Sequence, residues 1–122
     1  MEEKKKLLIA DDDRQLQGAF AGYFADSFEV LHASDGADAL MLAVEHVPEV
    51  MLLDIRMPIL DGRTVCQKIK NHPRTRGIKV VMITGKGGEY DREVGFEVGA
   101  DEYLDKPFSL AELSHAINRL LA

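Results

Sequence analysis

Five times along the chain a short apolar run gives way to a longer stretch whose apolar residues recur at helical spacing. The runs are Leu7–Ala10, Phe28–His32, Val50–Leu53, Ile78–Ile83 and Tyr103–Leu104. Within them the segments LLIA, VMLL and VVMI contain no polar residue. Such runs suit strands covered on both faces, as in a parallel sheet, rather than the alternating pattern of a sheet with one wet face. The intervening stretches carry apolar stripes. These are Leu16, Phe20, Tyr23 and Phe24; Leu40 and Val44; Val65 and Ile69; Tyr90, Val94 and Val98; and Leu110, Leu113, Ile117 and Leu120. Repeats of three and four residues place each set on one helix face.

The punctuation between runs agrees with this rhythm. Ser109 and Glu112 form an S-x-x-E capping box that opens the last helix. Pro73 closes the third helix, and Gly99 stands where a left-handed residue ends the fourth. Gly18 and Gly22, four apart on the first helix, predict close packing of that helix on the sheet. Five βα units imply an open, doubly wound α/β domain of flavodoxin-like size, whereas a closed barrel needs eight. The strand order is not legible in the pattern itself. In such sheets ligands bind at the carboxyl ends of the strands.

Composition narrows the class further. The 122 residues are enough for one domain, which needs no disulfide or structural metal. The single cysteine, Cys66, excludes a disulfide framework and a Cys-rich zinc site, so an intracellular chain is expected. Fifteen Lys+Arg against 21 Asp+Glu give a net charge of −6, which disfavours direct nucleic-acid or anionic-membrane binding. The apolar run after Lys4–Lys6 stops at three aspartates, too soon for a signal peptide or a span. A cytoplasmic location follows as an expectation.

Four of the five predicted strands end in chemistry-bearing residues. These are Asp11, Asp12 and Asp13 after the first, Asp54 after the third, Thr84 after the fourth, and Asp105, Lys106 and Pro107 after the fifth. Asp13 reads as an ordinary helix N-cap. Two carboxylates about 4 Å apart repel by roughly 4 kcal/mol at an effective dielectric near 20. A site that gathers Asp11, Asp12 and Asp54 must therefore raise pKa values or recruit cations. Lys106 supplies one positive charge. A small oxygen-only site that retains waters suits Mg²⁺ as the other. A carboxylate so placed can attack phosphorus, and Asp54, at its own strand end opposite the acidic pair, is the candidate nucleophile. Thr84 and Lys106 would complete the electrostatic cradle.

The segments LLIADDD, DIRMPILDG, VVMITG and GADEYLDKPF, in that order from about Lys5 to Leu121, resemble the receiver domain of response regulators in two-component signalling. The resemblance implies a five-stranded parallel sheet of order 2-1-3-4-5 with five helices. It also implies phosphorylation of Asp54, direct Mg²⁺ ligation by Asp12, ligation through water by Asp11, and a metal contact from the backbone carbonyl of Arg56. Thr84 and Lys106 would bind the phosphoryl group, and Thr84 and Tyr103 would act as switch residues. The Lys106–Pro107 peptide would be cis. Arg56, Gly85 and Lys86 would flank the pocket, with the two cations favouring anionic donors and prolonging the phosphorylated state.

The family also implies a phosphoryl donor, either a histidine kinase or a phosphotransfer protein. A downstream protein target would read the surface of the fourth helix, fifth strand and fifth helix, where Glu93, Glu97, Glu102, Tyr103 and Glu112 lie. The expected domain is 1–122 alone, with no output domain, as a monomer or a weak phosphorylation-dependent dimer. It would catalyse only its own phosphorylation and dephosphorylation. Rival readings fit less well. A haloacid-dehalogenase-type enzyme needs a second Asp where this chain has Arg56, and Asp11–Asp13 would repel the phosphate of a flavodoxin cofactor. A binding-only module with an inactive pocket is the remaining alternative.

Overall fold

Each strand in the middle of the sheet divides its side chains between two cores. Leu8 and Ala10, with Met51, Leu53, Val80, Met82 and Tyr103, enter one apolar cluster. Leu7 and Ile9, with Val50, Leu52, Val81 and Ile83, enter the other. Successive side chains of a strand point to opposite faces, so an uninterrupted apolar run is what a doubly covered sheet requires. Burial of each Leu, Ile or Val is worth about 1.5–3 kcal/mol against exposure.

The protein is described from a computed structural model covering residues 4–84 and 98–122. The elements, in chain order, are β1 (Lys5–Ala10), α1 (Arg14–Phe24), β2 (Phe28–Ala33), α2 (Gly36–His46) and β3 (Val50–Asp54). They continue with α3 (Gly62–Lys70), β4 (Lys79–Thr84), β5 (Glu102–Asp105) and α4 (Leu110–Leu121), the last of the predicted helices. All four strand pairings are parallel, in the order β2-β1-β3-β4-β5. The five-stranded doubly wound architecture expected from the chain is therefore present. Tyr90 and Val94, Gly85 and Lys86, and Glu93 and Glu97 lie outside the described residues, as does the side chain of Thr84.

Helix starts are set by short polar side chains that satisfy otherwise orphaned N–H groups. Asp13 accepts from the N–H groups of Gln15 and Leu16, Asp35 from Asp38, and Asp61 from Thr64. Ser109 accepts from the Glu112 N–H at 3.0 Å, as its S-x-x-E pattern predicts. Each such cap contributes about 1 kcal/mol. Gly99 has φ of 99°, the left-handed region expected for it.

Two details of the sequence reading are corrected. A Cβ at Gly18 or Gly22 would meet nothing within 4 Å, so these glycines do not mediate close packing on the sheet. Tyr23, placed on the buried stripe of α1, is 49 % exposed, since Phe20 and Phe24 already fill that face. The glycines that do permit close approach lie elsewhere. A Cβ at Gly36 would overlap the Leu60 carbonyl, and one at Gly62 would overlap that of Asp54.

Candidate functional site

β1 and β3 are adjacent, with Ala10 in register with Leu53. The residues following each register pair, Asp11 and Asp54, therefore emerge side by side at the carboxyl edge of the sheet. Both are buried, at 1 % and 6 % exposure, and Asp12 is exposed beside them. Carboxylate oxygens of Asp11, Asp12 and Asp54 all lie within 4.8 Å of one another. β5 ends with Asp105 paired to Thr84 of β4. Lys106 follows directly, and its Nζ donates to Asp11 Oδ2 and to Asp54 Oδ2, each at 3.2 Å.

The second oxygen of each buried carboxylate is also engaged. Asp11 Oδ1 accepts from the Asp13 N–H at 2.9 Å, and Asp54 Oδ1 from the Arg56 N–H at 3.0 Å. Burial pushes the Asp11 carboxyl above its ordinary value of 3.8, and the Asp54 charge adds to this. The Asp13 N–H and Lys106 oppose the rise without cancelling it. Burial alone would lower the Lys106 ammonium, yet Asp54 and Asp11 together hold it above its ordinary 10.5. Lys106 stays cationic through the neutral range, consistent with carboxylates stabilising a nearby cation.

With the three carboxylates ionised, one ammonium leaves a formal charge of −2 at a cluster of oxygen donors. Hard oxygen ligands and few protein carboxylates match Mg²⁺, which keeps several waters. The donor set thus fits the ion that the sequence implies. The Lys106–Pro107 peptide is cis. Tyr103, on β5, is buried in the core cluster shared with α2 and α3. Arg56 is exposed after the end of β3. Thr84 closes β4, one position beyond the residue paired with Asp54.

Several residues that shape the site were not singled out from sequence. Gln17 of α1 is buried and donates its side-chain amide to the carbonyls of Asp11 and Ala33, tying the ends of β1 and β2 to the first helix. A polar residue between Leu16 and Phe20 reads as solvated, and only its burial among backbone carbonyls reveals its role. Gly62 lets α3 begin directly against Asp54, and its N–H donates to the Ile55 carbonyl at 2.7 Å. Asp101 accepts from the Val80 N–H and from Lys70 Nζ, fixing the entry to β5. Cys66 is a core hydrophobe, as its place beside Val65 and Ile69 suggests.

Comparison with known proteins agrees with the geometry. The family model described as "Response regulator receiver domain" matches residues 7–118. A probable transcriptional regulator, ycf27, from Guillardia theta is 40 % identical over 127 residues, covering 99 % of this chain and 47 % of that protein. The chain thus spans about half the length of that relative. A putative response regulator from Chloroflexus aurantiacus superposes with a TM-score of 0.90 at 32 % identity, covering 98 % of both chains. The receiver domain of sensor histidine kinase PA1611 from Pseudomonas aeruginosa, solved with a magnesium ion in its active site cleft, superposes at 0.89 with 26 % identity. It covers 98 % of both chains. The chain belongs to the response regulator receiver domain family. Receiver domains are signalling domains of two-component systems. Among the described residues no helix is long and apolar enough to cross a membrane.

Proposed function

We propose that this receiver accepts a phosphoryl group on Asp54 from the phosphohistidine of a kinase or phosphotransfer protein. The observation that carries this reading is the Lys106 ammonium 3.2 Å from both Asp11 Oδ2 and Asp54 Oδ2. This is one buried carboxylate pair, at the ends of adjacent strands, already organised around a cation. In the reaction an Asp54 carboxylate oxygen forms a bond to phosphorus while the phosphorus–nitrogen bond breaks, and the imidazole leaves. The product is an acyl phosphate, and later attack by water on phosphorus returns the free carboxylate and inorganic phosphate.

Asp12, Asp11, Asp54 and the Arg56 carbonyl would hold Mg²⁺, the first directly and the second through water. The bound ion would supply charge neutralisation at the phosphoryl oxygens. Lys106 would hold one phosphoryl oxygen and Thr84 another, each favouring charge that builds on the oxygens as the group transfers. Arg56 and Lys86 would favour anionic donors and slow the approach of water, with Gly85 leaving room at the phosphorus. Movement of Thr84 toward the phosphoryl group, with an accompanying response of Tyr103 on β5, would bias the surface around β5 and α4. On that surface Glu102 pairs with Arg119, and Glu112 is exposed. A protein target is the expected reader, because a net charge of −6 opposes direct nucleic-acid contact by this domain.

Beryllofluoride, a mimic of the phosphoryl group, tests the pocket separately from the chemistry. With Mg²⁺ it should bind the parent chain one to one by calorimetry and fail to bind Asp54→Ala. Equal binding to both would place the phosphoryl site elsewhere.

A further inference from the structure

The loop between β3 and α3 leaves Asp54 and returns to it. Gly62 at its far end packs its backbone against the Asp54 carbonyl, and the Gly62 N–H donates to Ile55. Near the apex is Ile59, the most exposed large hydrophobic residue among those described, at 75 %. Its φ is 73°. The Leu60 N–H donates to the Pro58 carbonyl at 2.9 Å, so Ile59 is the centre of a three-residue γ-turn of the positive-φ kind. That turn is rare and strained for any L-residue, and more so for a β-branched one.

The strain is enforced from outside the loop. The Pro58 carbonyl also accepts from the Gly36 N–H at 3.2 Å, and Leu60 lies so close to Gly36 that a Cβ there would overlap it. The first residue of α2 thus holds both sides of the turn. Buried apolar contacts do not explain its isoleucine, because the side chain is mostly in water. A glycine or asparagine would adopt this backbone with less strain.

We infer that Ile59 is a specificity-determining contact for the protein that delivers the phosphoryl group, an apolar anchor that seats in a complementary apolar patch beside the partner's phosphohistidine. The inference rests on the reading of Asp54 as phosphoacceptor. Gly62 is three positions beyond Ile59, so the Ile59 Cα lies within about 11 Å of the backbone that touches Asp54. An ordinary protein interface covers about 800 Å² per partner, a disc of roughly 16 Å radius. A protein centred on Asp54 therefore covers Ile59, whereas a small phosphodonor entering the pocket does not. Arg56, on the same loop, is exposed as well.

The test compares donors of two sizes on the parent and on Ile59→Gly, Ile59→Asn and Ile59→Leu. The small donor is acetyl phosphate with Mg²⁺. The large donor is a purified, autophosphorylated histidine kinase selected because it labels the parent chain. Gly and Asn variants should keep their acetyl phosphate rates within about twofold, melt at or above the parent temperature, and lose tenfold or more in transfer from the kinase. Leu should restore most of that transfer. Equal kinase transfer to all four proteins, an equal loss with both donors, or a parent chain that no phosphohistidine protein labels would overturn the assignment of Ile59. Failure of acetyl phosphate to label the parent would instead remove the phosphoacceptor reading itself.

Discussion

Lys106 Nζ stands 3.2 Å from Asp54 Oδ2 across 52 positions of sequence, and the same ammonium is 3.2 Å from Asp11 Oδ2. One side chain after β5 thereby neutralises part of the charge gathered by β1 and β3. Removing one partner of a buried ion pair leaves the other uncompensated, which is more costly than the pair's net contribution. Lys106 is partly exposed, so water offsets some of that cost. Lys106→Met should lower the metal-free stability by about 1–3 kcal/mol in urea denaturation. Added Mg²⁺ should recover part of the loss. Unchanged stability would show that the ammonium contributes nothing to the fold.

Asp12 is the exposed member of the acidic group, so its removal relieves repulsion without opening the core. Asp12→Asn should stabilise the metal-free chain by about 0.3–1 kcal/mol, since solvent screens an exposed charge. It should also shrink the rise in melting temperature that Mg²⁺ produces in the parent, because ligand binding to the native state raises stability by mass action. A full Mg²⁺ response in the variant would exclude Asp12 from the ion's ligands.

Two glycine substitutions of the same kind should have opposite signs. At Gly62 a Cβ would lie 2.8 Å from Ile55 Cα and overlap the Asp54 carbonyl, and neither backbone atom can move without displacing β3. Gly62→Ala should destabilise by about 2–4 kcal/mol. At Gly18 a Cβ would meet nothing, and the residue is exposed within α1. Gly18→Ala should stabilise by about 0.5–1 kcal/mol through helix propensity. Matching chemical denaturation curves for the two variants would contradict this placement of the loop.

The contrast between these glycines shows what could and could not be read from the chain. The βα rhythm, the parallel sheet and the strand-end acids were legible because burial on both faces leaves an unbroken apolar run, and LLIA and VMLL are such runs. Asp11, Asp12, Asp54 and Lys106 were legible because four polar residues at strand ends share one edge by topology. Gly18 and Gly22 looked like packing glycines because helical spacing says which face a residue is on, not how near its neighbour comes. The close approaches at Gly36 and Gly62 depend on how α2 and α3 meet the β3 loop, a tertiary relation without a local signature. Gln17 and Asp101 escaped for the same reason, since Gln17 reaches the Ala33 carbonyl and Asp101 the Val80 N–H and the Lys70 ammonium, groups distant in sequence.

Cys66 is fully buried, and burial pushes its thiol up to about 11 from an ordinary 9.0. The native thiol should therefore resist a disulfide reagent near neutral pH and react fully once urea unfolds the chain. The unfolded chain loses this proton near pH 9 while the native chain holds it to about 11, so stability falls as pH rises between those values. Cys66→Ala should remove roughly 2–3 kcal/mol of that alkaline loss, read as the difference between the two proteins' urea midpoints at each pH. Rapid native labelling near neutral pH would contradict the burial.

Metal-assisted phosphoryl transfer to Asp54 is tested most directly by intact mass spectrometry. The parent chain, incubated with acetyl phosphate and Mg²⁺, should gain the mass of a single phosphoryl group. That adduct should be absent from Asp54→Ala and from the parent treated with EDTA. An adduct that persists in Asp54→Ala would move the acceptor to another residue. No adduct on the parent, with beryllofluoride binding absent as well, would leave a receiver fold acting without phosphorylation.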